Sequence, residues 1–219
     1  MAGFGDIRLN NLVQEDAFEK IGDYIWFCCE EMKRDLCNKG EKVPNDENKI
    51  RNYLLEIYLD DTTNRRRNNM MMFKFMPESL ENYDNTRMSY IGRVDIKVVN
   101  QNEWFENGQA SYFVECKRLD GNKRLNDEYV VNGIERFVVE PLHYSSYFNK
   151  NYMLGLIIKD IKIDENIKKI EKIQNNNSKI NNQRGLVQSK KGAYYDCEYN
   201  VSSRVIELRH MFADFSDIV

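Results

Sequence analysis

Tyr90-Ile91-Gly92-Arg93-Val94-Asp95-Ile96 and, about twenty residues on, Tyr112-Phe113-Val114-Glu115-Cys116-Lys117 are the stretches on which the reading of this chain turns. Across 88–99, Val94, Ile96 and Val98 alternate with Arg93, Asp95 and Lys97, the period of a strand with one apolar face. Segment 110–117 has the Tyr, Phe and Val content of a second strand. Asn107-Gly108 is a turn signal between them, so the two are expected to pair antiparallel through a long hairpin. Residues two apart on a strand share a face and lie roughly 7 Å apart. Glu115 and Lys117 therefore project together, away from Val114 and Cys116, while Asp95 projects away from Val94 and Ile96. Pairing gathers Asp95, Glu115 and Lys117 on one face. Two carboxylates on a partly buried face are costly unless something neutralises them. A hard divalent cation, which selects oxygen ligands, does so.

Those residue types are the parts that phosphodiester hydrolysis needs. Two carboxylates hold a metal that polarises the phosphate and lowers the pKa of a water. A lysine beside them orients that water, assists its deprotonation or neutralises charge developing on phosphorus. The backbone carbonyl of Cys116, between the two functional side chains, is a further oxygen ligand. The alternative for the same residues is a structural ion cluster with no chemistry.

With these residues the chain resembles the PD-(D/E)xK superfamily of restriction-endonuclease-like nucleases, over about 46–159. The resemblance implies an α/β fold with a central mixed sheet flanked by helices, and Mg²⁺- or Mn²⁺-dependent cleavage of nucleic acid. It implies Asp95 and Glu115 as metal ligands, Lys117 as the catalytic cation, and Glu47, in the helix before the core strands, as a further metal-ligating and catalytic glutamate. An acidic residue in a first helical turn also simply suits the helix dipole. The helix after the lysine strand often adds polar groups to the cleft. Tyr129, Asn132 and Arg136 are the substrate-binding candidates there, expected on one helical face. DNA is the expected substrate, RNA the chemically equivalent alternative, and a restriction or defence role follows by analogy alone. A symmetric homodimer would explain double-strand cutting. A catalytically silent member of the fold, acting as a binding or assembly module, is the rival from another class.

Outward from that core, 12–37 reads as a helix with Phe18, Ile21, Ile25, Trp26, Cys29 and Met32 on its apolar side, ended by Asn38-Lys39-Gly40. Pro44-Asn45-Asp46 opens a second helix whose Ile50, Tyr53, Leu54, Ile57 and Tyr58 form an amphipathic stripe. Segment 60–69 reads as a polar loop and 70–75 as a strand of core-filling methionines, stopped by Pro77. Asn126 is the expected cap of a helix to about 139. A strand over 152–159, a helix over 161–173, an Asn-rich loop over 175–182 and strands over 194–199 and 204–212 complete the reading. One domain over 1–219 is expected, with a helical arm over 1–40.

Composition narrows the function classes. The 219 residues carry 42% hydrophobic and 31% charged side chains, ordinary for a globular chain. A formal net charge of −3 argues against a passive nucleic-acid coat, though basic residues are grouped in Arg65-Arg66-Arg67, Lys117-Arg118, Lys123-Arg124 and Lys190-Lys191. Five cysteines without ligand spacing are expected to be reduced and buried. Two histidines, His143 and His210, leave little for a zinc site or a Ser-His-Asp triad. Trp104-Phe105 suits a small apolar cluster or a stacking pair. No apolar stretch nears membrane-spanning length and the start lacks a signal-peptide pattern, so the cytoplasm is the expected location.

Overall fold

The computed structural model describes residues 7–101, 110–144, 147–189 and 194–219. Asn107-Gly108, Trp104-Phe105 and Lys190-Lys191 lie outside them. The chain opens with α1 (Ile7–Lys39), then α2 (Glu47–Leu54) running into a π-helical stretch, Leu55–Leu59, and the short α3 (Thr62–Arg67). Strands β1 (Phe73–Asp84), β2 (Ser89–Asn100) and β3 (Ser111–Leu119) follow. Next comes a broken helix, with α4 (Lys123–Tyr129), a π-helical Val130–Ile134 and α5 (Glu135–Val138). Strand β4 (Lys150–Ile157), α6 (Ile163–Asn175), β5 (Val187–Gln188), β6 (Tyr194–Val201) and β7 (Arg204–Asp214) close the chain.

All seven strands form one mixed sheet in the order β1-β2-β3-β4-β7-β6-β5. The β3–β4 and β4–β7 pairs are parallel and the others antiparallel. Strands in the middle of such a sheet have both faces covered and read as apolar runs. That is the case for β4, in which Asn151 through Ile157 are buried. The protein is therefore α/β, with the expected β2–β3 antiparallel pair at its heart.

Two apolar layers sandwich the sheet. Phe18, Ile21, Ile25, Cys28, Cys29 and Met32 of α1 pack with Ile96, Val98, Val114, Cys116 and Leu154 on one face. On the other, Tyr129, Val130, Ile134 and Phe137 of the broken helix and Ile167 and Ile170 of α6 pack with Phe113, Met153 and Leu208. The N-terminal helix is thus no arm. Its continuous apolar side must be buried somewhere, and together with Ile50, Leu54 and Leu59 it covers one face of the sheet.

Several boundaries differ from the sequence reading, each for a local reason. Pro77 does not stop its strand: β1 is the sheet edge, so the missing N–H costs no ladder bond there. Met70 is buried, but Met71 and Met72 are exposed in the turn before β1. Segment 60–69 contains a helix, α3, because Asp61 caps it by accepting from the Asn64 N–H at 2.7 Å. Asn126 is not a cap; it is buried inside α4 and exchanges amide hydrogen bonds with Asn166 of α6, at 2.8 and 3.1 Å. Four cysteines are buried as expected and all five are free, but Cys37 is exposed at the end of α1.

His210, on β7, is fully buried between the hydroxyls of Tyr129 and Tyr199, at 2.9 Å from Nδ1 and 3.4 Å from Nε2. Burial pushes its pKa down from 6.5 to about 3. A depressed folded-state pKa means that the neutral ring stabilises the fold fully above pH 6.5, and that this contribution is lost as pH falls towards 3. His210→Gln is expected to shift the acid-unfolding midpoint to lower pH, followed by circular dichroism. An unchanged midpoint would show that His210 does not set acid stability.

Candidate active site

The registered β2–β3 pairing runs from Val99↔Ser111 to Ile96↔Val114 and ends there. One residue further along each strand stand Asp95 and Glu115. At that point the Cys116 N–H donates to Asp95 Oδ2 at 2.8 Å, where a strand carbonyl would otherwise accept. The β1–β2 register likewise steps over Glu78, between Pro77↔Ile96 and Ser79↔Val94. Glu78 has φ +42, a left-handed conformation that non-glycine residues seldom adopt in a strand. The sheet is opened on both sides of Asp95, and its side chain fills the opening.

Into that gap project side chains from three elements. Lys117 is buried, and its Nζ lies 2.9 Å from Glu115 Oε1, 3.0 Å from Glu47 Oε1, 2.8 Å from the Cys116 carbonyl oxygen and 3.9 Å from Asp95 Oδ2. Glu47 arrives from the first turn of α2, positioned by the Asp46 cap, and its other oxygen accepts from the Arg118 N–H at 3.0 Å. Asp95, Glu115, Lys117 and Glu47 are therefore brought together as the sequence suggested.

Each carboxylate also has a second, chain-supplied partner. Arg51, one turn after Glu47 on α2 and almost fully buried, bridges Asp95 to Glu78, the latter at 2.7 Å. Glu115 is fully buried. It takes Arg136 Nη1 at 2.7 Å on Oε1 and the Tyr144 hydroxyl at 2.7 Å on Oε2. The Tyr144 hydroxyl is in turn 3.0 Å from the Arg93 carbonyl and from Arg136 Nη1.

Burial and the nearby Asp95 carboxylate raise the Glu115 pKa from 4.5 to about 7, against the lowering pull of Lys117, Arg136 and Tyr144. For Lys117, burial alone would weaken its hold on the proton, but the carboxylates of Glu115, Asp95 and Glu47 outweigh it and push the pKa up. The lysine is an ammonium throughout the neutral range.

The donor set is all oxygen, which suits a hard divalent cation in kind. Its focus is filled by a cation of the chain itself, the Lys117 ammonium. Among the described residues no group of three or more His, Cys, Asp or Glu stands in a metal-holding arrangement.

The substrate-binding trio does not hold as one face. Tyr129 is turned into the core, stacked on Phe212 at 5.8 Å and bonded to His210. Asn132 is exposed and Arg136 reaches Glu115. The physical reason is the π-helical Val130–Ile134, whose i→i+5 bonding inserts an extra residue and turns the helix out of phase. Sequence reasoning missed Arg51, Glu78 and Tyr144. Arg51 was legible in principle, four residues after Glu47 and so on its helical face. Tyr144 lies in an irregular segment with no period to read.

Gly92 sets how near that segment comes. A Cβ there would sit 2.2 Å from the His143 carbonyl oxygen, a clash with backbone that no rotamer relieves. No family model, curated protein or solved structure matches the chain.

Gly92→Ala is expected to destabilise the protein by about 1–3 kcal/mol or more, the scale of overpacking, and to draw Tyr144 away from Glu115. Chemical denaturation measures the first; wild-type stability would refute the close approach. Glu115→Gln tests the electrostatics in EDTA. A carboxyl whose pKa is raised on folding favours the folded state most below about pH 4.5, and that advantage is lost as pH rises through about 7. The stability of Glu115→Gln relative to wild type should therefore be greater at pH 8 than at pH 5. An equal difference at the two pH values would contradict the raised pKa.

Proposed function

We propose that this protein is a divalent-metal-dependent nuclease, a phosphodiester hydrolase acting on DNA, on a restriction-endonuclease-like fold of the PD-(D/E)xK type. The observation that carries the reading is the convergence of an all-oxygen set, Asp95, Glu115, Glu47 and the Cys116 carbonyl, around the Lys117 ammonium. A mixed sheet with helices on both faces is compatible with that fold.

Asp95, Glu115, the Cys116 carbonyl and Glu47 would hold Mg²⁺ or Mn²⁺, which when bound supplies charge on the scissile phosphate and a more acidic water. The chain does the rest. The Cys116 N–H and Arg51 fix the direction of Asp95, and Arg136 with Tyr144 fixes Glu115. Lys117, held protonated by its carboxylate neighbours, supplies a cation to orient the attacking water or to meet charge growing on a phosphoryl oxygen. Preorganised charge of this kind costs no rearrangement during reaction.

A second reading, a catalytically silent protein of this fold serving as a binding or assembly module, rests on a specific observation too. Asp95 is paired with Arg51, and Glu115 with Lys117 and Arg136, so these carboxylates are already neutralised within the chain.

Plasmid, single-stranded DNA and RNA, each incubated with Mg²⁺, Mn²⁺ or EDTA, separate the two. The nuclease reading expects DNA cleavage with either metal and none in EDTA; no cleavage of any substrate favours the silent module. Asp95→Asn should abolish both metal binding and cleavage. Lys117→Ala should lower single-turnover cleavage by at least about a hundredfold with nucleic-acid binding retained. Lys117→Arg keeps the charge in case the alanine variant folds poorly, and is expected to be nearly as slow because its donor geometry differs. Cleavage by Lys117→Ala at the wild-type rate removes Lys117 from the chemistry.

A further inference from the structure

Arg136 stands between two environments. Its Nη1 makes the contacts to Glu115 and Tyr144, while the residue also lines a cavity of 270 Å³ on the outer side of the broken helix. Typical sites for drug-sized ligands span roughly 300–1,000 Å³, so this one has room for a single ring system. The π-helical stretch contributes Asn132 to the lining, α5 contributes Glu135, and the segment after it contributes Val139, Pro141 and His143.

The charges of the lining argue against a phosphate there. The Arg136 guanidinium is engaged by Glu115. Glu135 accepts from the Asn177 amide at 2.6 Å and lies 3.6 Å from Lys179 Nζ on the rim. Glu140, also in the lining, has no ion-pair partner among the described residues. No uncompensated positive charge is left over for an anion. What remains is the exposed carboxamide of Asn132, the imidazole of His143, the guanidinium of Arg136 and the apolar walls of Val139 and Pro141. A planar, neutral heterocycle with donor and acceptor edges matches that set: Asn offers paired donor and acceptor to a base edge, and rings stack on imidazole and guanidinium planes.

The geometry points to this cavity as a pocket for one unpaired nucleobase of the substrate, coupled to the catalytic cluster through Arg136. The inference rests on the nuclease reading and deepens it, since a base seated there lies one side chain from Glu115. A substrate with a base free to enter, single-stranded or locally unpaired, is the class it selects.

The test compares a fluorescein-labelled hexanucleotide of deoxyadenosine with the abasic backbone of the same length, by anisotropy in EDTA. The base-bearing strand should bind at least about fivefold more tightly, the lower end of what one stacked base contributes. Asn132→Ala, at an exposed position, and Val139→Trp, which fills the cavity, should each remove most of that difference and leave binding of the abasic strand unchanged. Equal binding of the two strands, or a base dependence untouched by both variants, overturns the pocket; affinity that follows phosphate count alone does the same. A metal-dependent cleavage assay on the wild-type protein separates this from the parent reading. Cleavage without base-dependent binding overturns the pocket alone. Base-dependent binding lost in the variants, without any cleavage, overturns the nuclease and leaves the pocket standing. Binding of neither strand together with no cleavage overturns both.

Discussion

An ammonium group surrounded by carboxylates in the middle of a β-sheet is an arrangement that the rest of the protein has to sustain. Glu115 and Lys117 occupy a strand with an apolar layer packed on each face; Glu115 is fully buried and Lys117 keeps only 6% of its surface exposed. Lone ions there would cost several kcal/mol each. The chain answers with mutual neutralisation: Glu47 from α2, Arg136 from α5, and Asp95 with Arg51 behind it. Removing one member of such a set strands its partners and typically costs about 3–5 kcal/mol. The positions of α2 and of the broken helix are thus tied electrostatically to the strand that carries the candidate chemistry.

The sheet gives up hydrogen bonds to make that room. Between Ile96 and Val94 the strand changes which apolar layer it serves: Ile96 packs with α1, Val94 with the broken helix. Asp95, at the crossover, offers its side chain to the Cys116 N–H, so the donor stays satisfied although the ladder is interrupted. Glu78 takes a left-handed conformation opposite the same point, and its carboxylate holds Arg51. Backbone strain of this kind persists where surrounding contacts over-determine it. Here the contacts are the ion pairs of the cluster.

The parts of the fold with a strong period were legible. The apolar stripe of α1 and the continuous run of β4 each state which surface must be buried, and the structure buries it; the alternation around Asp95 does not hold as one face, because Ile96 and Val98 pack with α1 and Val94 with the broken helix. Elements whose character depends on neighbours were not. Pro77 breaks a central strand but is tolerated at an edge, and which strand is at the edge is a property of the assembled sheet. Tyr129 reads as one polar face with Asn132 and Arg136 only if the helix keeps its regular phase, and the π-helical stretch removes that condition.

The sequence by itself determined part of the candidate site: Glu115 and Lys117 share a face because strand side chains alternate, a rule that acts over neighbouring residues, whereas Asp95 joins them where the β2–β3 register ends and that alternation breaks. Only the tertiary structure decided how that site is charged. Arg51, Arg136 and Tyr144 are 44, 21 and 29 residues from the carboxylates they hold, and no local period connects residues so far apart. Their meeting depends on how α2 and the segment after α5 dock on the sheet. The raised pKa of Glu115 follows from that docking as well, because burial is set by everything packed above a residue and not by its neighbours in the chain.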